Sequence, residues 1–185
     1  MDNGDAGYRR FLDGDDSGLY EIIRDYKDGL ILYLNGICGN ITTAEELMED
    51  TFAKIAIKKP CFSGRSSFKT WLYAIGRNVA LDHLRRESKR RYVPIDELPE
   101  TADDRESLEA SYLMEERRIT LHRVMTRLCP DYRQVLWLVF FEGLSNSDAA
   151  EIMRKTNRQI ENLLYRAKNS LKSELEKEGF VYEEL

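Results

Sequence analysis

The 185-residue chain is poor in cysteine, histidine, proline and glycine. Its three cysteines, Cys38, Cys61 and Cys129, are scattered and form no Cys-x-x-Cys pair. Together with His83 and His122 they show no metal-ligand spacing, and they are too few for a disulfide framework. Reduced thiols in a cytoplasmic protein are the expectation. Four prolines and eleven glycines exclude collagen-like and low-complexity classes. The longest apolar stretches, Gly29–Cys38 (broken by Asn35) and Gln134–Phe141, fall far short of the roughly 20 residues that span a bilayer. The opening Met1-Asp-Asn-Gly-Asp5 is acidic and has no apolar core of the kind a secretory signal needs. A Gly-rich phosphate loop, Gly-x-Ser-x-Gly and His-Glu-x-x-His are all missing. No catalytic residue, metal site or cofactor is therefore nominated, and the expectation is a protein that is not an enzyme. Strand-type alternation and internal repeats are absent too.

What the chain has is segregated charge. Its net charge is only −5. Yet from Arg65 to Arg91 eight basic residues face two acids, Asp82 and Glu87. From Ile95 to Glu116 nine acids face one base, Arg105. From Glu151 to Lys172 six bases face Glu151 and Glu161. Two basic segments flank an acidic one. Basic stripes suit a polyphosphate partner, and blocks of like charge tend to stay extended and solvated. Ordinary surface charge accounts for any single block, but less well for the alternation.

Apolar residues recur at helical spacing almost throughout. Leu19, Ile22, Ile23, Tyr26, Leu30, Tyr33, Leu34 and Ile37 predict one long amphipathic helix. Thr43-Ala-Glu-Glu46 fits a capping box opening a second, with Leu47, Phe52 and Ile55 inward. Pro60–Gly64 reads as a loop. A third helix is expected from about Ser67 to Arg91, with Phe68, Leu72, Ile75 and Val79 on one side. Pro94, Pro99 and a scarcity of apolar residues up to Ala110 mark a linker. The expected organisation is all-α: a helical bundle over 1–93, an acidic flexible linker over 94–112, and a second helical domain over 113–185. In that last part Leu121, Val124, Met125 and Leu128 form a stripe. Pro130 opens an apolar helix that stops at Gly143.

Gly143–Lys172 has helix-turn-helix spacing: Ser145–Asp148 starts a short helix running to Arg154, and Thr156–Gln159 caps a longer basic one from about Arg158 to Lys177. At about 100° per residue, Ile160, Leu164, Ala167 and Leu171 share one face. Arg158, Asn162, Tyr165 and Asn169 share the opposite face, flanked by Gln159 and Arg166. Such side chains donate to phosphates and read base edges in a major groove. A plain amphipathic helix on a bundle gives the same stripe, but the cap and turn in front of it favour DNA. On the Ser67–Arg91 helix, Trp71, Ile75, Asn78, Asp82 and Arg85 share a face suited to unstacked bases. Trp71 can equally be a core anchor, and Asp82 can pair with Arg85 or Arg86 within the helix.

At these residues the chain resembles a known family. Ala44-Glu-Glu-Leu-Met-Glu-Asp-Thr-Phe52 is similar to the polymerase-binding helix of bacterial extracytoplasmic-function (ECF) sigma factors. Phe68-Lys-Thr-Trp-Leu-Tyr-Ala-Ile-Gly-Arg-Asn-Val-Ala-Leu-Asp-His-Leu-Arg-Arg86 resembles their promoter-melting, minus-ten-reading segment. Leu128-Cys-Pro-Asp-Tyr-Arg-Gln-Val-Leu136, Phe141-Glu-Gly-Leu-Ser145 and Gln159-Ile-Glu-Asn-Leu-Leu-Tyr-Arg-Ala-Lys168 resemble the family's fourth conserved region. The match runs in family order from about Tyr20 to Leu175. It implies an alternative sigma factor that binds core RNA polymerase and directs promoter recognition and melting. Leu47, Glu49 and Asp50 would dock on the polymerase. Phe62, Arg65, Ser66, Trp71, Asn78 and Arg85 would contact the minus-ten element. Arg158, Gln159, Asn162, Tyr165 and Arg166 would contact the minus-thirty-five element. The resemblance also implies an anti-sigma partner. Glu161 and Leu163 stand where many members carry basic residues, so fewer phosphate contacts are expected there. The competing readings are a sigma-like decoy that titrates an anti-sigma factor, and a stand-alone helix-turn-helix regulator, which would leave Ala44–Arg86 unexplained.

Overall fold

Gly7 and Gly18 bring the first two helices, α1 (Asn3–Leu12) and α2 (Ser17–Cys38), into backbone contact. A Cβ on Gly18 would lie 2.1 Å from the Gly7 carbonyl oxygen, so only glycine fits this crossing. The computed structural model describes residues 3–90, 121 and 123–179. Every described element is helical, as the periodicity predicts. The expected linker, 94–112, lies outside the described residues.

The long stripe predicted from Leu19 to Ile37 is α2, with Ile22, Leu30, Tyr33, Leu34 and Ile37 buried. Gly39 ends α2 in the left-handed conformation, its N–H donating to the Asn35 carbonyl. The next helix, α3 (Ile41–Lys58), begins earlier than the Thr43 capping box predicts. The chain turns at once after Gly39, so Asn40 becomes the cap, its Oδ1 accepting from the Thr43 N–H at 2.9 Å. The loop at Pro60–Gly64 leads to α4 (Phe68–Arg90). Ser67 caps α4 by accepting from the Thr70 N–H at 3.0 Å.

Phe68 is the hub of this half. Its ring lies 5.3 to 5.8 Å from those of Tyr26, Phe62, Trp71 and Tyr8. One cluster thus joins α1, α2, the loop and α4. The Tyr8 hydroxyl donates to the Pro60 carbonyl at 2.7 Å and fixes the loop.

Residues 123–127 are helical and lead to α5 (Pro130–Leu136), with Pro130 in its first turn as expected. The predicted apolar helix does not run unbroken to Gly143. At Trp137–Phe141 it widens into one π-helical turn, closed by the Glu142 N–H donating to the Trp137 carbonyl. Then come α6 (Asn146–Met153) and α7 (Asn157–Lys177). Arg123 and Arg127 pair with Glu178 at 2.6 and 2.7 Å, tying the segment before α5 to the end of α7.

The two halves pack on each other. The Arg77 Nε on α4 donates to the Gln134 Oε1 on α5 at 2.9 Å, both side chains being buried. Tyr33 is buried there against Tyr73, ring centroids 5.3 Å apart. At this seam the Tyr33 hydroxyl and the Arg133 Nε are buried with no hydrogen-bond partner among the described residues. Orphaned polar groups cost stability, so the seam is less well satisfied than the interior of either half. Among the described residues no helix is long and apolar enough to cross a membrane.

Burial pushes the hydroxyls of Tyr33 and Tyr73 upward in pKa and that of Tyr8 up to about 12. The unfolded chain then releases these protons first, at an ordinary value near 10.0. Above that pH the folded state holds more protons, so the stability these groups provide is lost as pH rises towards about 12. The thermal midpoint, followed by circular dichroism, is expected to fall through this window, and substituting Phe for Tyr8 should blunt the fall. A midpoint flat from pH 9 to 12 contradicts the assignment.

Candidate nucleic-acid interface

The helix-turn-helix is set by two capping boxes. Ser145 accepts from the Asp148 N–H while Asp148 accepts from the Ser145 N–H, starting α6. Thr156 and Gln159 do the same for α7. Between them Arg154 takes the left-handed conformation, φ 53°, and turns the chain sharply. The Lys155–Asp131 ion pair at 3.1 Å ties this turn to α5.

The projection of α7 holds. Ile160 and Ala167 are buried, and Leu164 and Leu171 are half-buried. Arg158, Gln159, Asn162, Tyr165, Arg166 and Asn169 are exposed. Tyr165 is 70% exposed, too open for a core role. The Gln159 Oε1 is engaged by the cap, accepting from the Thr156 N–H at 2.8 Å. The Lys168 amine sits over the Phe140 ring, 5.0 Å from its centre. The face is therefore a helix surface with exposed Arg, Asn and Tyr side chains, a geometry that fits a major groove.

In the other half the expected site residues separate into two kinds. Arg65 is exposed, and Arg85 is exposed and paired with Asp82 at 3.1 Å, as the intrahelical reading anticipates. Asn78 and Ser66 are half-buried. Phe62 and Trp71 are half-buried in the aromatic cluster, with rings 5.3 Å apart. Trp71 thus packs against the core with part of its surface open, and it borders the loop that carries Arg65 and Ser66.

On α3, Glu49 and Asp50 are exposed beside Glu45 and Glu46. Leu47 does not join that face. It is 1% exposed and packs in the core. Its i+4 and i+8 partners Thr51 and Ile55 are buried too, which makes Leu47 part of the inward stripe.

Four residues that sequence patterns did not single out meet at the seam. The Lys69 amine pairs with the Glu142 carboxylate at 2.6 Å and also donates to the Glu142 carbonyl at 3.0 Å. The Trp137 Nε1 donates to the same carboxylate at 3.0 Å. Tyr73 also hydrogen-bonds to Glu142. Lys69 and Glu142 are 73 positions apart, so no local pattern signals the contact.

Two family descriptions match the chain: Sigma-70 region 2 over residues 22–90, and Sigma-70 region 4 over residues 118–171. The RNA polymerase sigma factor YlaC of Bacillus subtilis is 29% identical over 160 residues, covering 85% of this chain and 91% of its own. The RNA polymerase sigma-H factor of Pseudomonas aeruginosa is 32% identical over 142 residues, 72% of this chain and 73% of its own. Among solved structures, the sigma factor RpoE of Bartonella quintana, in complex with the anti-sigma factor NepR, matches with TM-score 0.66 and 23% identity. The match covers 85% of this chain and 96% of that one. CnrH, in complex with the cytosolic domain of CnrY, matches with TM-score 0.67 and 18% identity, covering 95% of this chain and 99% of that one.

Proposed function

We propose how this protein, which belongs to the ECF group of bacterial RNA polymerase sigma factors, divides promoter recognition between its two halves. It is an alternative sigma factor: it binds core polymerase and promoter DNA and directs transcription initiation. The division rests above all on one observation, the doubly capped helix-turn-helix whose outer face on α7 bears Arg158, Asn162, Tyr165 and Arg166 exposed.

In this reading α7 enters the major groove of the minus-thirty-five element. Asn162 and Arg158 read base edges, Arg166 holds phosphate, and Tyr165 packs on the sugar-phosphate edge or a thymine methyl. The loop around Arg65 and Ser66, backed by Phe62 and Trp71, meets the minus-ten element, with Asn78 and Arg85 further along α4. There the melted strand offers unstacked bases and phosphates. The polymerase does the chemistry, and this chain supplies sequence selection. Its domains are residues 1–93 and 113–185, joined by the acidic stretch 94–112. Two solved relatives were captured with NepR and with the cytosolic domain of CnrY. By that analogy an anti-sigma protein holds this chain inactive in the cytoplasm.

The exposed acidic face of α3 docks the polymerase. Replacing Glu49 and Asp50 together by Lys is expected to weaken one-to-one binding to core polymerase at least about tenfold, the scale of one lost charge-assisted contact. Both residues are exposed and away from the core, so far-ultraviolet dichroism and the thermal midpoint should not move. Unchanged core affinity in a titration of labelled protein would remove α3 from the docking surface.

A further inference from the structure

We propose that in the free protein three carboxylates of the C-terminal half occupy the donors with which the first turn of α4 binds the phosphates of melted promoter DNA. The chain thereby holds itself closed until single-stranded DNA displaces them. This regulation rests on the reading above, in which the Phe62–Arg85 segment meets the minus-ten element.

The three contacts lie in a row. The Ser66 Oγ donates to the Glu151 Oε1 at 2.8 Å. The Thr70 Oγ1 donates to the Asp148 Oδ1 at 2.9 Å. The Lys69 amine holds the Glu142 carboxylate. A hydroxyl, a second hydroxyl and an amine within one helical turn, at the N-terminus of α4, are the donor types that hold DNA phosphates. Here each takes a carboxylate instead. Sequence alone makes the Arg65–Arg91 block strongly basic. The fold covers its leading edge with anions from the helix-turn-helix.

Glu142 is seated by construction. The π-helical turn adds a residue to the end of the apolar helix and aims Glu142 at the N-terminal half, under the Trp137 Nε1. The opposing wall is Gly29 of α2. A Cβ there would lie 2.6 Å from the Tyr73 hydroxyl and 2.7 Å from the Glu142 Oε1. Any side chain at position 29 therefore competes with the carboxylate for its seat. Asp148 serves twice, since its other oxygen closes the α6 capping box. The latch and the DNA-reading motif are thus built on the same helix start. The orphaned Tyr33 hydroxyl and Arg133 Nε at the seam favour opening, because opening gives both groups water.

The test uses the full-length chain and a short, fluorescein-labelled single-stranded DNA of mixed sequence, titrated by anisotropy at one moderate salt concentration. Gly29→Leu changes no charge, replaces a poor helix former in α2 with a good one and fills the seat of Glu142. Glu142→Gln removes the anion at constant size. Asp13→Asn with Asp28→Asn and Glu176→Gln, all exposed, controls for general charge loss. If the closed form outnumbers the open one by about ten to one, unlatching raises apparent affinity about tenfold. Both latch variants are expected to show that gain, and the triple control less than about a twofold gain. Spin labels at Thr42 and Lys172, with the three native cysteines replaced by serine, should report a longer and broader distance in both latch variants. In wild type, saturating oligonucleotide should do the same. Wild-type affinity and distance in both variants would overturn the latch, as would an equal gain in the triple control. Core-dependent transcription by the wild type is read separately. Its absence would count against the sigma-factor reading while leaving the distance measurement valid.

Discussion

Phe68→Ala is expected to cost about 3–5 kcal/mol, the range for emptying a large aromatic site in a packed core. The side chain is fully buried and its ring meets four others, from α1, α2, the loop and α4. Pairwise ring contacts add about 0.5–1.5 kcal/mol beyond area burial, so the loss should sit at the upper end. The cavity cannot collapse easily, because Tyr8 is pinned to the Pro60 carbonyl and Trp71 is fixed on the same helix. Against a total stability of about 5–15 kcal/mol, this threatens the whole N-terminal half. Urea unfolding followed by dichroism measures it, and a change under about 1 kcal/mol would show that the cluster is looser than described. The functional consequence follows from geometry. In the proposed reading Phe62 and Trp71 shape the loop that meets the minus-ten element, and both lean on Phe68.

The second large effect is at the duplex end. Arg158→Ala combined with Asn162→Ala should lower transcription from a cognate promoter on the order of a hundredfold or more. Each base-edge contact is worth about 1–3 kcal/mol of discrimination. Both side chains are exposed and are not needed for the α7 caps, which use Thr156 and Gln159, so stability should change little. Arg166→Ala should behave differently, weakening binding across sequences and reducing the salt dependence by about one phosphate contact. Retention of full promoter preference by the double variant would assign sequence reading to other residues.

Much of this was legible in the chain. The stripe on α2 and the opposed faces of α7 are long, regular patterns, and period 3.6 reports them directly. The caps at Ser145 and Thr156 are local chemistry, and local chemistry survives folding. Where two cap residues compete within four positions, as Asn40 and Thr43 do, geometry decides. The left-handed Gly39 handed the cap to Asn40. No pattern in the sequence singles out helix α1, whose Gly7 lets the backbone of Gly18 approach. Leu47 sits among acids in a motif that suggests an exterior role, yet its spacing to Thr51 and Ile55 places it inside. The seam was invisible because Lys69–Glu142, Thr70–Asp148 and Ser66–Glu151 join residues 73 to 85 positions apart. Charge arithmetic by segment counted Lys69 and Glu151 without revealing that the start of the basic block meets carboxylates of the other half.

The most direct test is run-off transcription with purified core polymerase on a fragmented library of the source genome, with and without this protein. Discrete new start sites that depend on the protein are expected, with two recurring upstream elements among them. Losing Arg158 and Asn162 should abolish dependence on the distal element. Absence of new starts, together with no one-to-one binding to core polymerase, would contradict it.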